Sequence, residues 1–254
     1  MPPMAANDAG ELIPVTVRYR VLGEVVETTA PLPRRPLRPD ELLPLLWEID
    51  NTVVDRAIAD SEANGKPISC CRGCSACCRA QPVPVTPAEA FALSRLVEGL
   101  PEPRRSEVRE RFADRAGRLH AAGLADVFLH RDPNITREQA RDVARHYFAL
   151  GLVCPFLEDD ACGIYADRPL VCRQYLVTSP AELCRDPLSN RVEVLPMPIA
   201  AAGALLEASS QAIGRDQFTI PLALALEYVE GHRAELERTF EPEGLLRGCM
   251  AALS

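Results

Sequence analysis

The sequence predicts a mainly α chain: an irregular single-domain helical fold with a small N-terminal β-hairpin. Three observations carry this. Apolar residues recur at three- and four-residue steps over much of the chain, two capping boxes open helices in its middle, and one stretch near the N-terminus alternates with period two. At 254 residues the chain can bury one sizeable core. Its 23 prolines imply many connections between short elements.

Val15, Val17, Tyr19 and Val21 alternate with polar residues, and Gly23 precedes a second apolar run at Val25 and Val26, so this segment reads as a β-hairpin. A proline- and arginine-rich stretch, 31–39, then reads as a linker or arm. From 40 to 63, Leu42, Leu46, Ile49, Val53 and Ala57 mark one face of a helix with Pro44 in its first turn, ended by Asn64, Gly65 and Pro67. Thr86, Pro87 and Glu89 supply the N-cap, N1 proline and capping-box acid of the next helix, which carries Ala90, Leu93, Val97 and Leu100 on one side. A helix over 103–122 turns Val108, Phe112, Ala116 and Leu119 inward, and its many arginines and glutamates read as a solvated face. Thr136 and Gln139 open a further helix with Ala140, Val143, Ala144, Tyr147 and Phe148, closed by Gly151. Residues 154–184 read as loop with one helical turn near Arg168, and helices resume from 191, including 221–240 and 243–253. This divides the chain into an arm (1–39), a cysteine-rich domain (40–190) and a C-terminal helical extension (191–254) on the same core.

A formal charge of −8 disfavours nucleic acid or an anionic membrane as the main partner, since both reward a basic surface. Residues 1–11 hold neither a basic leader nor the apolar run of an export signal, and the most apolar later stretch, 194–206, contains Pro196 and Pro198 and is too short to cross a bilayer. The expected location is cytoplasmic, where thiols stay reduced and clustered cysteines point to ligand chemistry.

Cys70, Cys71, Cys74, Cys77 and Cys78 place five thiols within nine residues. Three-residue steps let sulfurs approach one centre, and Gly73 relaxes the backbone between them. Thiolates select zinc or iron-sulfur chemistry over calcium or magnesium. A dithiol redox pair fits less well, because no βαβ pattern surrounds the cluster. Cys154, Cys162, Cys172 and Cys184 supply a second stretch, read as the return half of the site. Two adjacent cysteines do not both face one ion, which ranks Cys70 below Cys71, and Cys249, in an apolar helix, reads as core. His120, His130, His146 and His232 are scattered and form no metal-binding or hydrolase motif, and no glycine-rich nucleotide loop is present.

Four motifs in succession, Cys71-x-x-Cys74-x-x-Cys77-Cys78, Cys154-Pro155-Phe156-Leu157, Cys162-Gly163-Ile164-Tyr165 and Arg168-Pro169-x-x-Cys172-Arg173-x-Tyr175, resemble the YkgJ-type cysteine cluster family, a zinc- or iron-chelating domain. The resemblance spans about 70–185. It implies metal chelation by Cys71, Cys74, Cys77, Cys78, Cys154, Cys162 and Cys172, but no settled reaction, although a related domain occurs in flagellin lysine methylases. Cys70 and the hairpin arm go beyond the family pattern. Arg168 and Arg173 are suited to offset thiolate charge, and Tyr165 and Tyr175 to keep water away, with ordinary salt bridging and packing as the plainer alternative.

The x2 steps and the remote Cys154-Pro155 echo bacterial ferredoxin spacing and favour a [4Fe-4S] iron-sulfur cluster; Zn2+ follows closely, because paired C-x-x-C segments are also common in structural zinc sites. Two functions are therefore expected: an iron-sulfur protein of redox or methylation-related type, or a zinc-closed scaffold that recruits a protein partner.

Overall fold

The computed structural model describes residues 11–130, 134–214 and 216–253, so the reading of an absent leader falls largely outside the described residues. The fold is mainly α, with three small antiparallel strand pairs among the described residues. Strands β1 (Leu12–Val21) and β2 (Glu24–Pro33) form the expected hairpin, longer than the alternation suggested. Leu22 and Gly23 join them with φ of 51° and 86°. Both are left-handed, the geometry that matches strand twist in a two-residue turn.

The helix expected over 40–63 is α1 (Leu43–Ala63), entered through a 3-10 turn at Pro39–Leu42. Leu46, Ile49, Val53 and Ala57 are buried as their spacing predicts, and Asp50 is fully buried beside them. The hairpin does not stand apart from this core. Val17, Tyr19, Val21, Ala30 and Leu32 pack with α1 and with the C-terminal helices α7 (Ala201–Ile213) and α9 (Pro242–Ala252). The supposed linker is likewise tied down. Leu37 is fully buried, and its N–H and C=O exchange 2.8 Å hydrogen bonds with Phe240.

A second core joins α2 (Pro87–Glu98), α3 (Arg104–Ala121) and α8 (Ala225–Leu236) around Phe91, Val97, Phe112, Phe156 and Val229. Strands β3 (Pro84–Val85) and β6 (Ile220–Pro221) pair across it. Both capping boxes close as expected: Thr86 Oγ1 accepts from Glu89 N at 3.1 Å, and Thr136 Oγ1 accepts from Gln139 N at 3.2 Å. A third core connects α3 to α4 (Ala125–Leu129) and α5 (Arg137–Ala149). Helix α5 buries only Tyr147 fully, and Ala140, expected inward, is exposed.

Residues 154–184 hold more order than expected. Strands β4 (Leu157–Glu158) and β5 (Ala161–Cys162) make a small hairpin turned by Asp159 and Asp160, both with positive φ. A 3-10 turn at Tyr165–Asp167 and helix α6 (Leu170–Gln174) follow, the latter being the helical turn expected near Arg168.

The α3 arginines are not simply a solvated face. Arg104 and Arg111 both pair with Glu158, Arg104 Nη2 donates to Gly163 O at 2.7 Å, and Arg115 Nε donates to Val153 O at 3.1 Å. Charge-assisted bonds of this kind fix the 153–163 segment alongside the packing of Phe156 in the second core. No helix among the described residues is long and apolar enough to cross a membrane.

Candidate metal centre

Between α1 and β3 the chain is mostly irregular. Gly73, at φ of 88°, allows the tight turn in which Cys74 N donates to Cys71 O at 3.0 Å, and a 3-10 turn at Cys77–Arg79 follows. Backbone bonds then bring in the second cysteine stretch. Cys154 N donates to Cys78 O at 2.7 Å, and Ser69 N donates to Val177 O at 2.9 Å. Arg79 also pairs with Asp160 on the β4–β5 turn. Segments separated by some 80 to 110 positions in sequence are thus held side by side at several points.

Cys77 stands where these segments meet. Cys70, Cys74 and Cys77 pack with Cys184, Val177, Ala181 and Tyr175. Cys77 also lies within electrostatic reach of Cys154, Cys162 and Cys172. Cys78 is its immediate thiol neighbour; that contact, burial and the Cys78 charge all push the Cys77 thiol well up. Burial raises Cys154 to about 12 and Cys184 to about 11, and lifts Cys172 strongly, with neighbouring thiolates adding to each. These shifts favour the thiol form of Cys77, Cys154, Cys172 and Cys184, and a cation binding these sulfurs displaces protons.

All the sequence-selected cysteines lie in this region, with differing exposure. Cys70, ranked low by its adjacency to Cys71, is half-buried among the other thiols, and its Sγ accepts from Val177 N at 3.4 Å. Cys71 is the exposed member of the pair. Cys249 is buried in α9, within the first core, as expected. Tyr175 packs against the thiols, and burial together with the adjacent Cys184 raises its phenol to about 12. Tyr165 is 44% exposed and so is no water shield; its ring instead lies under Arg168, 4.1 Å from the centroid. Arg173 donates to Arg168 O and to Asn51 Oδ1, at 3.2 and 3.3 Å.

The histidines are engaged elsewhere. His120 meets Glu227 at 2.8 Å, His130 lies near Asp126, His232 stacks on Tyr228, and His146 is exposed on α5.

Among the described residues, no three Cys, His, Asp or Glu side chains are already arranged to hold a metal ion. The convergence is one of neighbourhood, not of finished coordination geometry. On donor chemistry the set fits a soft cation. Sulfur dominates it, and Glu158, the carboxylate near Cys162, is engaged by two arginines.

Sequence reasoning missed three contributors to the region: the α3 arginines, Arg72, and Glu89. Only Glu89 carried a local signal, its capping box, and that signal reports a single helix end.

Residues 70–190 match the family model CxxCxxCC, described as "Putative zinc- or iron-chelating domain". No curated protein and no solved structure matches the chain. The cysteine-rich segment of this chain, just under half its length, is similar to the CxxCxxCC domain.

Proposed function

We propose that the chain binds iron through cysteine sulfur, as a [4Fe-4S] cluster held between the 70–78 and 154–184 segments, and serves a redox or methylation-related reaction in the reducing cytoplasm. One observation carries most of the weight: Cys77 packs in one cluster with Cys70, Cys74 and Cys184, and also lies within electrostatic reach of Cys154, Cys162 and Cys172. Seven thiols exceed the four that a single structural ion uses, which favours a polynuclear centre. Cys77, Cys154, Cys162 and Cys172 are the first ligand set to test, with Cys70, Cys74 and Cys184 able to hold a further metal. Cys78 adjoins Cys77, and Cys71 is the exposed thiol of the group. An iron-sulfur cluster would supply one-electron chemistry; the chain's own part is to exclude water with Tyr175 and to limit charge build-up through Arg168.

A zinc-closed scaffold that presents a face to a protein partner is the second reading. It is favoured by the scarcity of regular structure between α1 and β3, a stretch that a cross-linking ion would hold in shape.

Anaerobic purification followed by absorption spectroscopy and analysis for iron, zinc and acid-labile sulfide tests both. Iron with sulfide and a broad visible absorption supports the first reading. Stoichiometric zinc without iron selects the second, and a protein that holds neither metal overturns both.

A further inference from the structure

Beside the cysteines lies a half-open cavity of about 400 Å³. Its polar wall combines Arg72, Arg168, Arg173 and Tyr165, and its apolar wall is built by Val54 and Ile58 of α1 with Ile68 and Leu176. Cys70 and Cys71 line it too, so it borders the thiol set. Its size falls within the range of small-molecule sites.

Three guanidinium groups share this space in a chain of net charge −8. Most arginines of the described residues have a carboxylate partner, but no carboxylate lies within ion-pair distance of Arg72 or Arg168 among those residues, and the buried Nε of Arg168 has no hydrogen-bond partner. Asp55 lines the cavity but is exposed on α1 and forms no ion pair there. Asp50, buried close to Arg173 and Arg168, is a poor counter-ion, because its burial disfavours the charged form.

The cationic groups are also oriented in advance. Tyr165 takes Arg168 over its ring at 4.1 Å and Arg72 at 5.7 Å. Arg173 lies 5.1 Å from the centroid of Trp47, and its donors go to Arg168 O, Ala166 O and Asn51 Oδ1. Arg173 thus fixes the 166–168 turn that presents Arg168. Planar guanidinium groups with free donors beside an aromatic face recognise oxyanions, to which they donate paired hydrogen bonds.

We propose that this cavity binds a small organic oxyanion, a carboxylate or phosphate ester, whose anionic group is gripped by Arg72 and Arg168 and whose carbon body rests on Val54, Ile58 and Leu176. The ligand then lies against Cys71, at the edge of the thiol set. The proposal goes beyond the metal-centre reading: there the arginines only offset thiolate charge, whereas here they hold a ligand.

The test uses the full chain as purified anaerobically, with its metal content measured in every sample. Acetate, hexanoate and inorganic phosphate are titrated calorimetrically into the wild type and into Arg72→Gln and Arg168→Gln. Saturable binding of hexanoate or phosphate is expected, weakened about tenfold or more in each variant and, in Arg72→Gln, at unchanged metal content, the loss expected for a charge-assisted hydrogen bond. Hexanoate binding more tightly than acetate identifies a carboxylate with an apolar body; phosphate binding more tightly than hexanoate identifies a phosphoryl ligand. Absence of saturable binding by the wild type overturns the proposal, as do variants that bind like the wild type. Variants that lose metal yet bind the probes unchanged assign the arginines to charge compensation alone. If the protein holds no metal but the arginine-dependent binding persists, the metal reading fails and this one stands.

Discussion

Glu89 Oε1 accepts a hydrogen bond from Leu170 N at 2.8 Å, while its Oε2 accepts one from Thr86 N at the same distance. One fully buried carboxyl therefore closes the capping box of α2 and also satisfies a backbone donor at the start of α6. Cys172 sits two residues beyond Leu170, on that same short helix. Burial raises the carboxyl, and the two backbone donors oppose that shift by favouring its charged form.

Replacing Glu89 by alanine removes both bonds and leaves two buried N–H groups without partners. A destabilisation of about 2–4 kcal/mol is expected, the sum of a lost cap and an unsatisfied donor. Metal content is expected to fall as well, because α6 loses its anchor. Glu89→Gln keeps one acceptor and is expected to show about half the effect. Urea unfolding together with metal analysis checks both outcomes, and an alanine variant with wild-type stability would refute this role.

The thiol neighbourhood leads to a ligand-removal prediction with an internal control. Cys154→Ser and Cys74→Ser are expected to lower bound metal, and stripping the wild type with a strong chelator is expected to lower Tm by about 5 °C or more, as for loss of a few kcal/mol in a chain of this size. Cys249→Ser is expected to destabilise by placing a hydroxyl in the first core, yet to keep its full metal content. Thermal melts and elemental analysis separate the two classes of cysteine.

These two predictions also divide what the sequence could reveal from what it could not. Local signals carried far: Thr86 with Glu89, Thr136 with Gln139, and the α1 stripe each report contacts within a few residues of one another. The cysteine clusters were legible for the same reason, through their spacing. The bond from Leu170 to Glu89, the pairing of Leu37 with Phe240 and the reach of Arg104 to Gly163 join residues far apart in sequence, and no periodicity encodes them. Cys70 shows the limit most directly. One thiol of the first pair is exposed, as adjacency implies, but it is Cys71 and not Cys70, a choice that spacing along the chain does not encode.

Asp50 leads to a pH prediction. Burial raises its carboxyl from 3.8 to about 7, against the pull of Arg173, Gln174 and Arg168, and both of its oxygens lack a hydrogen bond of normal geometry. The group holds its proton more tightly in the fold than in the unfolded chain. Below about pH 4 it is protonated in both states and costs nothing; from there to about pH 7 the unfolded chain ionises first and stability falls; above that the loss is constant. Asp50→Asn removes this titration. Its stability relative to wild type is expected to rise by about 2–4 kcal/mol between pH 4 and pH 8. Denaturant unfolding at several pH values measures this, and a pH-independent difference would sink the assignment.

Two glycines of α9 make opposite predictions from one substitution. Glycine inside a helix normally costs about 1 kcal/mol relative to alanine, so Gly→Ala should stabilise where there is room. At Gly244 a Cβ would meet nothing within 4 Å, and Gly244→Ala is expected to gain several tenths of a kcal/mol. At Gly248 the added carbon would stand 2.9 Å from Ala208 Cα and 3.0 Å from Gln211 Oε1. Ala208 Cα belongs to the backbone of α7, so relief requires the two helices to part where they pack into the first core. Overpacking of this kind costs about 1–3 kcal/mol. Gly248→Ala is therefore expected to lower Tm and Gly244→Ala to raise it. Equal shifts of either sign would show that the α7–α9 contact is looser than this close approach requires.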